Sequence, residues 1–175
     1  MPGPRCAAFL AVSLDGFIAR PDGGLDWLTP FQGEHGYTAF FATVDTLLVG
    51  RATWEVVAGF PAWPWEGKRV AVLTHRPLPA RHGELVVSGT PAEVLATLSA
   101  AGARSVYVDG GAVVSQFLAA GLLDELTLNL IPVVLGEGIP LFQGALRERR
   151  LALHSSRAFP SGLVQLGYRP ETPPA

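Results

Sequence analysis

Val106-Tyr107-Val108-Asp109-Gly110-Gly111, running straight on into Ala112-Val113-Val114-Ser115-Gln116-Phe117-Leu118-Ala119-Ala120-Gly121, is the stretch whose reading decides the fold. A β-branched and aromatic run closed by glycine reads as a buried strand. The apolar spacing after it, at Val113, Val114, Phe117 and Leu118, reads as a helix that Gly121 ends. The unit is therefore strand, Gly-Gly turn, helix. Two adjacent residues without Cβ let a backbone approach a ligand closely, and the helix start offers free N–H groups and the positive end of a dipole. A phosphate suits that place. The same glycines would serve a tight turn that needs only a positive φ, so other stretches have to decide between the two.

The unit recurs upstream. Asp45-Thr46-Leu47-Leu48-Val49-Gly50 is an apolar strand ending in glycine, and Arg51 to Ala58 reads as a helix closed by Gly59. Arg51 in the first helical turn opposes the helix dipole unless something negative compensates it, and Thr53 adds a hydroxyl beside the same N–H groups. Lys68 to Thr74 holds a third run, Val70-Ala71-Val72-Leu73, leading to Thr74-His75-Arg76-Pro77. Leu85-Val86-Val87-Ser88 is a fourth, short strand. Thr90-Pro91-Ala92-Glu93 starts a further helix, with Thr90 as N-cap, Pro91 at the first helical position and Glu93 closing a capping box; Gly102 ends it. Strands alternating with helices predict an α/β domain with a mostly parallel central sheet flanked by helices, whose ligands lie beyond the carboxyl ends of the strands. Gly50-Arg51, Thr74-His75-Arg76 and Gly110-Gly111-Ala112 all fall at such ends. Three anion-type termini along one sheet edge point to an extended, phosphate-bearing ligand.

At the N-terminal side, Cys6 to Leu14 is an apolar strand ending at Asp15-Gly16. Next come Phe17-Ile18-Ala19, the turn-rich Arg20-Pro21-Asp22-Gly23-Gly24 and Leu25-Asp26-Trp27-Leu28. From Glu34 to Thr43, Tyr37, Phe40, Phe41 and Val44 share a helix face. After Gly121 the character changes, because Leu126-Thr127-Leu128-Asn129-Leu130 alternates with period two, the mark of an antiparallel strand with one wetter face. Leu151 to Phe159 and Leu163 to Tyr168, joined by Pro160-Ser161-Gly162, form an antiparallel C-terminal hairpin. One domain spans 1–175, with 170–175 a loose tail.

Composition narrows the function. The 175 residues are 49% hydrophobic and 16% charged, enough for one sizeable core and unlike a disordered chain. A net charge of −2 offers no basic field for nucleic acid. No run of about 18 apolar residues could span a bilayer, and the N-terminus lacks a signal-peptide pattern, so the default expectation is a soluble cytoplasmic protein. Cys6 stands alone, and His35, His75, His82 and His154 lack metal-ligand spacing, which leaves no support for a metal site or a cysteine nucleophile. There is no Walker lysine and no G-x-S-x-G elbow. Hydride transfer from a bound dinucleotide suits what remains, since the cofactor carries the reactivity and the protein orients it.

Ser13-Leu14-Asp15-Gly16-Phe17-Ile18-Ala19 with Asp26-Trp27-Leu28, Gly50-Arg51-x-Thr53, Val108-Asp109-Gly110-Gly111, and Leu123-Asp124-Glu125-Leu126 leading to Pro132-x-x-Leu135-Gly136-x-Gly138-x-Pro140-Leu141-Phe142 carry a family resemblance over nearly the whole chain. Together they resemble the dihydrofolate reductase-like family, closest to the reductase domain of bifunctional riboflavin-biosynthesis proteins. The resemblance implies the dihydrofolate reductase-like fold, NADPH as cofactor and a homodimer. It also implies that Gly50, Arg51, Thr53, Gly110, Gly111 and Ala112 hold cofactor phosphates, while Ala11 and Ile18 meet the nicotinamide. Trp27 and the aromatic helix, with Tyr37 and Phe41, correspond to the substrate side, where Glu34 is the nearest acid. The activity implied is that of an NADPH-dependent reductase of a small heterocyclic, pteridine- or aminopyrimidine-like, or carbonyl substrate; the opposing reading is a non-catalytic nucleotide-binding protein of the same fold.

The same residues carry four finer expectations. Arg51 and Arg76, with Thr74, should clamp an adenosine 2′-phosphate and favour NADPH over NADH. Asp15, in a dry cleft that raises its pKa, should orient substrate or supply a proton, with Glu137 as second candidate. The Gly110-Gly111 peptide should be cis, as the resemblance implies. A methyl group at Gly111 should then meet the pyrophosphate and abolish cofactor binding in a folded domain.

Overall fold

The computed structural model describes residues 3–33, 35–144 and 146–171. Glu34 and the tail beyond 171 lie outside them. In chain order the elements are β1 (Arg5–Ser13), β2 (Phe17–Ala19), a 3-10 helix (Asp26–Phe31), α1 (Tyr37–Thr43), β3 (Thr46–Gly50), α2 (Arg51–Ala58), β4 (Arg69–Leu73), β5 (Leu85–Val87), α3 (Pro91–Ala100), β6 (Ser105–Asp109), α4 (Gly111–Ala119), β7 (Glu125–Ile131), β8 (Ile139–Pro140), β9 (Leu151–Ala158) and β10 (Val164–Pro170).

Eight of the strands form one sheet in the order β5-β4-β3-β6-β1-β7-β10-β9. From β5 to β7 every pairing is parallel, and β10 and β9 continue the sheet antiparallel. A parallel sheet must be covered on both faces, and the strands here carry apolar residues at successive positions for that reason. On one face Cys6, Ala8, Leu10, Leu48, Val106 and Val108 pack under Val94 and Leu98 of α3 and Val113, Val114 and Phe117 of α4. On the other, Leu47, Val49 and Tyr107 pack against Trp54 and Val57 of α2 and Phe40 and Phe41 of α1. Fully buried side chains such as Phe117 and Leu48 contribute about 1.5–3 kcal/mol each relative to exposure.

The α/β reading, the mostly parallel sheet and the C-terminal hairpin all hold, and α3 begins as its capping box predicts. The Glu93 N–H donates to Thr90 Oγ1 at 3.4 Å and the Thr90 N–H to Glu93 Oε2 at 2.8 Å. Strand β7 differs from its reading: it is antiparallel to β10 but parallel to β1, since α4 returns the chain beside β1. Its alternation does not mark a wet face either. Asn129 is buried, and its side chain is satisfied by donating to the Leu10 carbonyl at 3.3 Å and accepting from Gln165 Nε2 at 2.8 Å. Pro170, assigned to the tail, ends β10 opposite Leu151. The pairing of β2 with β8 has no counterpart in the sequence reading.

Candidate active site

Helices α2 and α4 start side by side at the carboxyl edge of the sheet, because β3 and β6 are neighbours with Val49 opposite Asp109. Neither start is capped by a side chain, and neither first turn holds an acid. Helix α3 is the contrast, with its own N–H groups satisfied by Thr90 and Glu93. Two uncapped starts set their N–H groups and dipoles side by side at that edge, which fits a diphosphate. Gly110 has φ of 94°, and a Cβ there would fall 2.6 Å from Thr53 Oγ1 and 3.9 Å from the Gly50 nitrogen. The structure thus brings Gly50, Thr53, Gly110 and Gly111 together, with Ala112 exposed beside them.

Two expectations about this turn are corrected. Among the described residues no peptide bond is cis, so the Gly110-Gly111 bond is trans, the positive φ of Gly110 being enough to turn the chain into α4. A Cβ on Gly111 would meet the Leu141 and Pro140 carbonyl oxygens at 2.7 Å and Gln143 Nε2 at 2.6 Å. The methyl would strike the protein's own loop, not a bound pyrophosphate.

Strands β3 and β4 are paired, which sets the turns holding Arg51 and Arg76 side by side. Arg51 is already engaged: Nε donates to Glu55 Oε1 at 2.7 Å and Nη1 to the Pro77 carbonyl at 2.9 Å. Its unfavourable place in the first turn of α2 is answered by an acid one turn on. Arg76 is exposed, its backbone N–H donating to Oγ1 of the buried Thr74 at 3.2 Å.

At the end of β6, two residues beyond Tyr107 and on the same face, stands Asp109. Burial pushes its carboxyl up to about 6, opposed by the Gly110 N–H, which donates to Oδ1 at 2.8 Å. Tyrosines flank it. The Tyr37 hydroxyl accepts from the Trp65 indole and is pushed up to about 12, by burial and then by Asp109. The Tyr107 hydroxyl donates to the Phe9 carbonyl at 2.8 Å and is raised by burial and then by the same carboxyl. Phe9 stacks on Phe40 with centroids 5.1 Å apart, and Tyr37 on Phe41 at 5.6 Å. Ala11, two residues past Phe9 and on its face, packs against the cluster of Trp27, Ile131 and Leu163. An acid whose pKa nears neutrality, at a strand end and beside a cluster of aromatic rings, has the form of a general acid.

Residues 4–165 match the family model described as the RibD C-terminal domain. The chain belongs to that family. Over 170 residues it is 39% identical to the uncharacterized protein YwjB of Bacillus subtilis (strain 168), covering 94% of this chain and 97% of the relative. The crystal structure of a putative riboflavin biosynthesis protein from Shewanella sp. PV-4 superposes with a TM-score of 0.87 at 32% identity, over 96% of this chain and 99% of the other. Dihydrofolate reductase from Enterococcus faecalis, complexed with NADP(H), has a TM-score of 0.69 at 20% identity, over 96% and 97% of the two chains, and shares the fold.

In this RibD C-terminal domain the two glycine-rich segments that carry the resemblance are halves of one joint. Asp15 accepts from Ser13 Oγ at 2.6 Å and from the N–H groups of Leu135 at 3.1 Å and Gly136 at 2.7 Å. The Leu14 N–H donates to Val133 and the Leu141 N–H to Gly16, and β2 pairs with β8 around them. Gly138 is obligatory, since a Cβ there would lie 2.4 Å from the Ala19 carbonyl oxygen. These hydrogen bonds, the one from Ser13 first, hold the Asp15 carboxyl below its ordinary range, and the side chain is exposed. The expected raised pKa in a dry cleft is therefore corrected: Asp15 ties loops and favours its charged form. Glu137 lies exposed on the same joint. A depressed carboxyl stabilises above the ordinary range and loses that contribution as pH falls through its folded value. Asp15→Asn, whose Nδ2 cannot accept, should lower the neutral-pH melting temperature and weaken the acid-side dependence of stability; thermal unfolding across pH checks this.

Of the other candidates, Trp27 is buried, while Ile18 and Phe41 are half-buried. Trp27 is 5% exposed, and its Nε1 has no partner among the described residues. Phe41 lies behind Tyr37, with Lys68 Nζ 4.8 Å over its ring. Ile18, in β2, packs against the core under α4. Asp109 is the candidate site residue that the sequence reading did not single out. The signal was present: it is the one carboxyl in the buried run 105–109, immediately before the Gly-Gly turn.

Proposed function

We propose that this domain is an NADPH-dependent reductase, with Asp109 supplying the proton, for a small flat heterocycle of pteridine or aminopyrimidine type or a small carbonyl compound. The observation that carries the reading is the Asp109 carboxyl, raised to about 6 at the strand end that adjoins the open start of α4. Gly50, Arg51, Thr53, Gly110, Gly111 and Ala112 would hold the cofactor phosphates, with Thr74 and Arg76 at the adenosine end and Ala11 and Ile18 at the nicotinamide. Trp27, Tyr37 and Phe41 would shape the substrate side. The Enterococcus faecalis protein of the same fold is complexed with NADP(H), which supports the choice of cofactor.

Bound NADPH supplies a hydride. Asp109 gives its proton to the heteroatom of the double bond being reduced and regains one from water. A pKa near 6 keeps part of the carboxyl protonated near neutrality without making it too weak an acid. The test is NADPH oxidation with a panel of dihydropteridines, aminopyrimidines and small carbonyl compounds, run with the native protein and Asp109→Asn. Turnover that depends on Asp109 is expected; tight NADPH binding with no turnover on any compound favours the non-catalytic alternative.

Because Glu55 and Pro77 engage Arg51, selectivity for the 2′-phosphate should rest mainly on Arg76. Arg76→Ala should weaken NADPH but not NADH, on the order of 1.5–3 kcal/mol for one charged hydrogen bond. Fluorescence titration with both cofactors checks it, and equal native affinity for the two would remove the claim. The homodimer is retained as a proposal. Strand β9 is a sheet edge exposed along nearly its whole length, with Leu153 54% exposed, and a sedimentation mass of twice the chain is expected.

A further inference from the structure

Strands β1 and β6 pair at Arg5 with Ser105, Cys6 with Val106 and Ala7 with Tyr107, and there the ladder stops. Each strand runs on beside its other neighbour, β1 with β7 as far as Ser13 and β6 with β3 as far as Asp109. The register says what the next rung would be. The Arg5 N–H donates to the Arg104 carbonyl, whereas the Cys6 carbonyl accepts from the Asp124 N–H and the Leu10 carbonyl from Asn129 Nδ2. Odd-numbered residues of β1 therefore turn their backbone groups to β6, and even-numbered ones turn theirs to β7. Carried forward as a regular parallel ladder, the Ala7 carbonyl faces the Val108 N–H and the Phe9 carbonyl faces the Gly110 N–H.

Both groups of that last rung have side-chain partners instead. The Gly110 N–H donates to Asp109 Oδ1 at 2.8 Å, and the Phe9 carbonyl accepts from the Tyr107 hydroxyl at 2.8 Å. The Tyr107 ring is held for this: it meets Phe40 edge-on with centroids 5.0 Å apart, and Phe40 stacks on Phe9 at 5.1 Å. Burial first, then Asp109 and Tyr37, raise the Tyr107 hydroxyl well above its ordinary range, so it keeps its proton and stays a donor.

We infer that Tyr107 is a positioning residue for Asp109: by occupying the Phe9 carbonyl it reserves the Gly110 N–H for the carboxyl and keeps the rung between β1 and β6 open. Without the hydroxyl, the Phe9 carbonyl is left unpaired, and the donor that the register sets opposite it is the Gly110 N–H. Asp109 would then lose the hydrogen bond that opposes its burial. Its surroundings offer no substitute. The titratable groups beside it are Tyr37 from α1 and Tyr107 from its own strand, β3 sets Val49 opposite it, and Arg51 at the start of α2 is engaged by Glu55 and Pro77.

The test follows the Asp109 carboxyl carbon and the Gly110 amide by NMR across pH in the native protein, Tyr107→Phe and Tyr37→Phe, with Asp109→Asn to assign the carboxyl. In the native protein the Gly110 amide should move with the carboxyl near pH 6 and show through-hydrogen-bond coupling to the Asp109 side chain, not to the Phe9 carbonyl. In Tyr107→Phe, Asp109 should titrate about one pH unit higher, as loss of a hydrogen bond to a charged group implies, and the Gly110 amide should no longer follow it. Tyr37→Phe removes the other flanking hydroxyl but no rung partner, and should leave that coupling in place. An unmoved or lowered carboxyl in Tyr107→Phe overturns the inference. Should that variant not fold, the native protein decides: a Gly110 amide that ignores the carboxyl or couples to Phe9 overturns the inference, and the opposite pattern upholds it.

The inference rests on the reductase reading for its consequence alone, since the titration needs no substrate. In NADPH oxidation, the high-pH limb of activity should move up together with the carboxyl in Tyr107→Phe. A carboxyl that moves without that limb upholds the role of Tyr107 and sinks Asp109 as proton donor. Activity that is lost in Asp109→Asn while the carboxyl of Tyr107→Phe stays unmoved does the reverse.

Discussion

Asp109→Asn should lower kcat by about 10²–10⁴-fold, the usual worth of a positioned general acid. NADPH affinity should change little, because the asparagine Oδ1 can still accept from the Gly110 N–H. The same change should stabilise the protein. Burial raises the carboxyl from 3.8 to about 6, so the native state binds more protons than the unfolded chain between those values, and stability falls as pH rises through that window. Asparagine has no charge to bury. The variant's advantage in melting temperature should grow as pH rises toward 6 and stay level above it. A residue with only a structural role would lose stability together with activity, so the opposite signs of the two effects identify a functional acid. Wild-type activity should fall as pH rises beyond about 6, and the variant's residual activity should be flat there. Unchanged turnover in Asp109→Asn would remove the proton role.

Gly111→Ala should damage folding and cofactor binding together. The added methyl would lie 2.7 Å from two backbone oxygens, those of Pro140 and Leu141. Backbone in a closed loop cannot swing away as the end of a flexible side chain can, so the cost sits at or above the upper part of the 1–3 kcal/mol typical of overpacking. Relief of the clash would push the 139–143 segment off α4, opening the start of that helix. Gly121→Ala is the control. Gly121 has φ of 69° and nothing within 4 Å of a Cβ, so it should cost only about 1–2 kcal/mol of backbone strain and leave NADPH binding intact. Unfolding by denaturant and cofactor titration on both variants checks the pair of expectations.

The alternation of strand and helix was legible because the apolar runs of β3 and β6 are each closed by glycine and followed by a helical period, while β4 leads through a turn to the short strand β5 before α3 begins. The start of α3 was legible to the residue, because a capping box is entirely local. The neighbourhood of the Gly50 and Gly110 turns was legible too, once a parallel sheet was assumed, since strand ends then share one edge. Strands β2 and β8, of three and two residues, carry too short a period to read. The role of Asp15 was hidden because its backbone partners lie 120 and 121 residues away. Sequence proximity to the first strand made Asp15 the natural acid; sheet order puts β6 beside β1 and makes Asp109 the better one. In one place a local signal went unread: Glu55, four residues after Arg51, already supplied the negative charge that the first turn of α2 asked for.

The measurement that tests the account most directly is an amide-resolved NMR titration of the protein with NADPH. If the two uncapped helix starts hold the cofactor, the N–H signals of Arg51, Ala52, Thr53, Gly111 and Ala112 should move furthest and saturate together. Those of Ala92 and Glu93, at the self-capped start of α3, should stay in place. Saturable binding that leaves the starts of α2 and α4 unmoved, or no binding of NADPH at all, would contradict the assignment on which the reductase reading stands.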